Sequence, residues 1–191
     1  MASIHHTTLT PTKLELLAEW LPVQSWYLGD ESATQLSKVG GFRLDDPEGE
    51  VGIEFMAVRD VSGGQVVTYH VPFTYRAAPL DGADDALIGI TEHGVLGKRW
   101  VYDGTQDPVL VQELTALLAG KAVPQAQSIS DTPDPSVVTH LEDGALDGLS
   151  IRVQRVLLAG DGHDAPGHVT AGWTLPDGST VRGPYVLVLP A

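Results

Sequence analysis

GEVGIEFMAVRDVSGGQVVTYHVPFTYRAAP, residues 49–79, is the stretch whose periodicity sets the architecture. In its first half Val51, Ile53, Phe55 and Ala57 fall on one side of an extended chain, because successive strand side chains point to opposite faces. Ser62-Gly63-Gly64 supplies a turn, and Val67, Tyr69, Val71, Phe73 and Tyr75 then share one face of a second strand. The pair predicts a β-hairpin. Pro72 has no amide to give to a ladder and points to an edge strand or a bulge.

Working outward, ALIGITEHGVLGKRWVYDG, residues 86–104, predicts a second hairpin turned by Gly94 and Gly97, and Ala33–Leu44 a weaker strand before the first. Two helices frame these strands. TPTKLELLAEWLP predicts the first, with Thr10 as N-cap, Pro11 at the first helical position, Leu14, Leu17, Ala18 and Leu21 on one stripe, and Pro22 as its end. Asp107-Pro108 starts the second: the carboxylate can cap free amides, and proline has no amide to leave unpaired. Leu110, Leu114, Leu117 and Leu118 form its buried stripe and Gly120 stops it.

AVPQAQSISDTPDPS, residues 122–136, reads as a linker or long loop. After it LSIRVQRVLLA, HVTAGWTLP and STVRGPYVLVLP predict three strands, the last two joined at Pro176-Asp177-Gly178-Ser179. The chain therefore divides into an α+β domain over 1–121, the linker, and a β segment over 137–191 that is either separate or packed on the same core. Hairpins with only two helices, and none of the crossovers that parallel strands need, predict an antiparallel sheet covered on one face by helix.

Composition narrows the partners. The 191 residues carry 25 acidic and 11 basic side chains, a formal charge of −14 whose field repels phosphate backbones and anionic lipid across a Debye length of ~8 Å. Neither nucleic acid nor a membrane is an expected partner, and no apolar run nears the ~20 residues that a bilayer crossing requires. Cysteine is absent, which removes thiolate chemistry and suits a reducing cytoplasm. The MASIHHTTLTPTK start lacks the basic and apolar regions of a signal peptide, and His5 and His6 read as part of an exposed terminus.

QSWYLG after an amphipathic helix, TYHVPFTYRAAPLDGADDALIG in paired strands and RWVYDGTQDPVLVQELTALL together resemble the N-terminal cap of actinobacterial maltokinases over roughly residues 10–121. The resemblance implies a cystatin-like curved sheet with a packed helix, in a family whose cap precedes a kinase that phosphorylates maltose on the trehalose-to-glycogen route. Free-standing cap-like proteins, labelled glucan-branching proteins, belong to the same neighbourhood. The kinase itself needs a phosphate-holding lysine, an HxDxxxxN-type catalytic loop and a metal-binding aspartate, and the sequence has no lysine after Lys121. No GxxxxGK or GxGxxG is present either, so no cofactor is expected.

Candidate site residues are few. Trp26, Tyr27 and Trp100 could stack on a sugar ring, or plug the junction of helix and sheet along with Trp20 and Tyr102. Asp161, His163, Asp164 and His168 in GDGHDAPGH have the donor types of a divalent-metal site, although the glycines and proline read equally as a hairpin loop. His70 and His93 read as isolated surface or core residues. Asp45-Asp46 and Asp84-Asp85 are poor glycosidase pairs, since strand neighbours point apart, and no GxSxG elbow marks a serine nucleophile. The expectation is a non-catalytic binding or regulatory module whose partner is a protein or enzyme of maltose, trehalose or α-glucan metabolism. The alternative is an enzyme or sugar-binding protein whose site is assembled from scattered residues.

Overall fold

Alternation over 49–79 drives both arms into one ladder, and the computed structural model, which describes residues 9–30, 34–129, 131–142, 148–162 and 164–191, shows it unbroken from Gly52↔Tyr75 to Asp60↔Val67. In chain order the elements are β1 (Leu9–Thr10), α1 (Lys13–Trp20), β2 (Leu36–Leu44), β3 (Gly52–Asp60), β4 (Val67–Arg76), β5 (Leu87–His93), β6 (Gly97–Asp103) and α2 (Pro108–Leu118). They continue with β7 (Gln125–Ala126), β8 (Val138–Leu141), β9 (Leu149–Val153), β10 (Gly167–Thr174) and β11 (Thr180–Pro190). The strands join in the order β1-β5-β6-β4-β3-β2-β10-β11-β9, with β7 on β2 and β8 on β10, and every pairing is antiparallel. This is an α+β fold on a curved open sheet.

Register decides which side chains meet. Phe55 lies opposite Pro72 and Met56 opposite Val71, so the apolar stripe of β3 and that of β4 point to opposite faces. One face gathers Phe42, Leu44, Ile53 and Phe55 under α2 and the C-terminal strands. The other gathers Met56, Val58, Tyr69, Val71 and Phe73 under α1. The sheet is thus covered on both faces, not on one, and residues that alternation assigns to a wet face, among them Glu54, His70 and Thr74, are buried. Phe42 and Phe55 stack with ring centres 4.6 Å apart at the middle of the larger core.

Pro72 does not mark an edge. β4 lies between β3 and β6, and the β6 ladder on its outer side begins only at Phe73↔Asp103. Before that point the outer side is taken by a returning segment, through His70 N–H to Arg155 O at 2.9 Å and Leu157 N–H to Thr68 O at 2.8 Å. Pro72 sits in the gap between these two partners, where a missing amide costs no ladder bond.

The first helix begins two residues later than expected. Thr12 is its N-cap: the hydroxyl accepts from Glu15 N, while Glu15 reaches back to the Thr12 amide in a capping box. The second helix begins where Asp107-Pro108 places it, and Gly120 follows it with φ +69°. Residues 122–136 form a long loop that is tied down, since β7 pairs with β2 and Ala126 N–H donates to Thr132 O at 2.7 Å.

The C-terminal strands pack on the same core as β2 and β3, with Trp173, Tyr185, Val186 and Val188 in contact with the Phe42–Phe55 cluster. β2 and β10 meet in the single pair Gly40↔Trp173, and the isolated bridge Tyr69↔Val156 ties the halves a second time. A Cβ on Gly40 would lie 2.6 Å from the Gly172 carbonyl oxygen, so the close approach depends on glycine there. The run expected as one strand from Leu149 leaves β11 after Val153 and crosses to β4, which carries Arg155 to the boundary between the two halves.

Candidate binding site

Two half-turns beyond α1, the chain folds back and lays QSWYLG over β4. Trp26 meets Trp20 edge-on at 5.8 Å and Tyr69 at 5.9 Å, and Tyr27 stacks on Tyr69 at 5.5 Å. Both rings are half-buried against the α1-side core. The Tyr27 hydroxyl donates to Asp60 Oδ2 at 2.7 Å, and the Tyr69 hydroxyl accepts from Leu28 N–H at 2.9 Å. Asp60 also accepts from the amides of Gln35 and Ser62 and from the Ser62 hydroxyl. Burial pushes the Asp60 carboxyl up, but these donors hold it below the usual range overall. Burial raises the Tyr27 phenol to about 12. Tyr27→Phe is expected to cost about 1.5 kcal/mol in urea unfolding, the low end for a bond to a charged acceptor, because three donors remain on Asp60. An unchanged midpoint would show that this bond adds nothing.

The outer face of Trp26 carries a cation. The Arg155 guanidinium lies 5.1 Å from the ring centre and donates through NH2 to Asp103 Oδ2 at 2.5 Å and to Thr105 Oγ1 at 3.2 Å. Trp26, Arg155, Asp103 and Thr105 thereby link the aromatic corner to a cleft of about 300 Å³. One wall of that cleft is α2, through Leu110, Val111 and Leu114; the other is β9 and its continuation, through Ile151, Val153 and the two arginines 152 and 155. Most of the lining is apolar, with Thr105, Arg152 and Arg155 as its polar side chains, the composition of a site that orients a mainly apolar guest by a few polar contacts.

The other sequence candidates lie elsewhere. Trp100 is half-buried in a separate small cluster with Tyr102, Ala83 and Ala86, and the Lys98 ammonium stands 4.7 Å from its ring centre. The structure brings Trp26 and Tyr27 together and leaves Trp100 apart. Of the metal candidates, His163 is outside the described residues. His168 is buried with the His140 ring 5.5 Å away, and the Asp161 carbonyl accepts from the Thr170 hydroxyl at 3.5 Å. Among the described residues no group of three or more His, Cys, Asp or Glu side chains is placed to hold a metal.

Sequence reading missed Glu54, Arg152, Arg155 and the cleft. Glu54 is buried with Lys13 Nζ at 2.5 Å, the Tyr75 hydroxyl at 2.9 Å and Gln127 Nε2 at 2.7 Å. Burial raises its carboxyl, and Lys13, with Lys38 and the Tyr75 hydroxyl, more than reverses this, leaving it below the ordinary value. This network binds α1 and the 122–136 loop to the sheet. Glu54 gave no sequence signal, because alternation assigns it to the wet face, and the cleft gave none because it forms only where α2 and β9 meet.

No curated protein matches the chain. The family model described as the maltokinase N-terminal cap domain matches residues 20–107, from the last residue of α1 through both hairpins to the aspartate that caps α2. The strands β8 to β11 lie outside the match. The segment from residue 20 to residue 107, which contains the aromatic corner and strands β2 to β6, is thus similar to the maltokinase N-terminal cap domain.

Proposed function

We propose that this protein is a non-catalytic, cap-like binding or regulatory module of maltose, trehalose and α-glucan metabolism, cystatin-like in the curvature of its sheet and active in the cytoplasm. The observation that carries the reading is the family match over residues 20–107. The aromatic corner agrees with it: Trp26 and Tyr27 are engaged with Trp20, Tyr69, Arg155 and Asp60, which suits a brace for the fold more than a platform for sugar. With a net charge of −14 the module favours a partner that presents a basic patch.

The test has two arms. In a thermal-shift screen, maltose, trehalose, glucose phosphates, nucleotides and divalent cations are expected to leave the midpoint within about 1 °C, whereas a small-molecule ligand at a hundredfold its Kd would add about 2.7 kcal/mol and several degrees. Binding of purified enzymes of α-glucan metabolism, measured by calorimetry, is expected to weaken at least tenfold as salt rises from 50 to 500 mM, roughly as screening predicts. Turnover of a sugar by the purified chain overturns the reading.

A further inference from the structure

β9 ends the sheet, and its outer side has no strand partner among the described residues. Gln154 N–H donates to Tyr185 O at 2.9 Å and Ala191 N–H to Gly148 O at 3.1 Å, so even-numbered residues of this strand turn their backbone groups toward β11. By the alternation of an antiparallel ladder, Ile151 and Val153 turn theirs outward. A strand edge of this kind is a template for another strand. It borders the cleft, with α2 as the opposite wall and Val111 43% exposed on that wall. A groove between a helix and an unpaired strand edge is the geometry in which proteins take up an extended segment by strand addition.

Charge selects the occupant. The Arg152 side chain is exposed and makes no hydrogen bond or ion pair among the described residues, and Arg155 lies three residues on in the lining of the same cleft. A carboxylate on the incoming segment would meet Arg152. The long-range field of a −14 chain repels a strongly acidic partner, so the segment belongs to a neutral or basic protein and carries one acidic side chain. A second copy fits poorly, since it brings the same −14 and sets its own Arg152 on the same edge.

Building on the binding-module reading, we propose that the outer edge of β9 and the α2 cleft together take up an extended segment of a partner protein as an added antiparallel strand. Its apolar side chains at alternate positions enter the cleft against Leu110 and Leu114, and one carboxylate pairs with Arg152.

Random nine-residue peptides displayed on phage and panned on the whole chain test this. The expected outcome is an enriched set with apolar residues at alternate positions and one Asp or Glu, whose synthetic members bind Ile151→Pro at least tenfold more weakly. That substitution removes an outward amide and no bond to β11. Arg152→Glu is expected to weaken them severalfold and to favour a Lys-for-Glu peptide. Because Ile151→Pro also removes a packed side chain, amide exchange in the unaltered chain provides a second readout: the selected peptide should slow exchange at Ile151 and Val153 at least tenfold. Peptides that bind Ile151→Pro as well as the parent, no protection at those two amides, or no enrichment of the alternating pattern would each overturn the proposal. If panning fails while salt-sensitive binding to an enzyme persists, only strand docking at β9 is lost; if both fail, the binding-module reading goes with it.

Discussion

Replacing Asp107 by alanine is expected to destabilise the protein by about 3–5 kcal/mol in guanidinium unfolding, the scale of breaking a buried ion pair from one side. Asp107 is 0% exposed, and both its oxygens are engaged by Arg76, Nε to Oδ2 and NH2 to Oδ1, each at 2.7 Å. Oδ1 also accepts from Val109 N–H at 3.0 Å, so one carboxylate caps α2 and anchors the end of β4 to it. Burial raises its pKa, and the Arg76 bonds together with the Val109 amide hold it below the ordinary value. Alanine strands a guanidinium and uncaps a helix whose leucines fill the larger core. Asp107→Asn keeps the cap and loses the charge, and should fall between the two. Adding Arg76→Met to Asp107→Asn should recover part of the loss, since the stranded cation is then gone. A loss below about 1 kcal/mol for Asp107→Ala would show that Arg76 finds water without cost.

The second large effect is pH dependence set by His70. The ring is 0% exposed, stacked on Phe55 with centres 5.9 Å apart and tilted against Tyr185 at 4.6 Å, and its Nδ1–H donates to Gln154 O at 3.1 Å. Burial, reinforced by the nearby Arg155 cation, lowers its pKa to about 3. The unfolded chain takes up a proton at this residue as pH falls through ~6.5, and the folded chain does so only near the lowered value. Stability from His70 is therefore full above pH 6.5 and drains as pH falls toward 3, by about 3 kcal/mol between pH 7 and 4. His70→Phe should be less stable at pH 7, because Gln154 O loses its donor. Its stability should nevertheless fall less steeply with acid than that of the parent by about that amount. Parallel pH profiles would refute the assignment. Asp60, Glu54 and Asp107, whose carboxyls are held low, add a further loss shared by both proteins that sets in as pH falls through the ordinary carboxyl range at about 4.

Much of the fold was legible because it rests on local patterns. The hairpins announce themselves in the alternation of 51–57 and 67–75, and the second helix in Asp107-Pro108, where one side chain does the capping that the sequence suggests. The first cap was misplaced although Thr12-x-x-Glu15 was there to be read, because Thr10-Pro11 imitates the same signal two residues earlier. Burial of the second face was illegible for a different reason. His70 and Glu54 look solvated in an alternating strand, and their burial depends on Gln154, Lys13 and Gln127, partners distant in sequence. The route of Arg155 was hidden likewise, inside what reads as one continuous apolar strand. Trp26 and Tyr27 were legible as a pair, but their companions Tyr69, Asp60 and Arg155 come from β4, the end of β3 and the run after β9.

The shared core has a consequence on the ribosome. The face of β2 and β3 that carries Phe42 and Phe55 is closed by α2 and by residues as late as Val188. At synthesis rates of about 5–20 residues per second, that face stands open for roughly ten seconds after Asp60 has been added. Through that interval the nascent chain presents stacked aromatic rings beside unfinished strands, which is the kind of surface that holding chaperones capture, so its yield in a cell should follow the supply of such helpers more closely than its final stability.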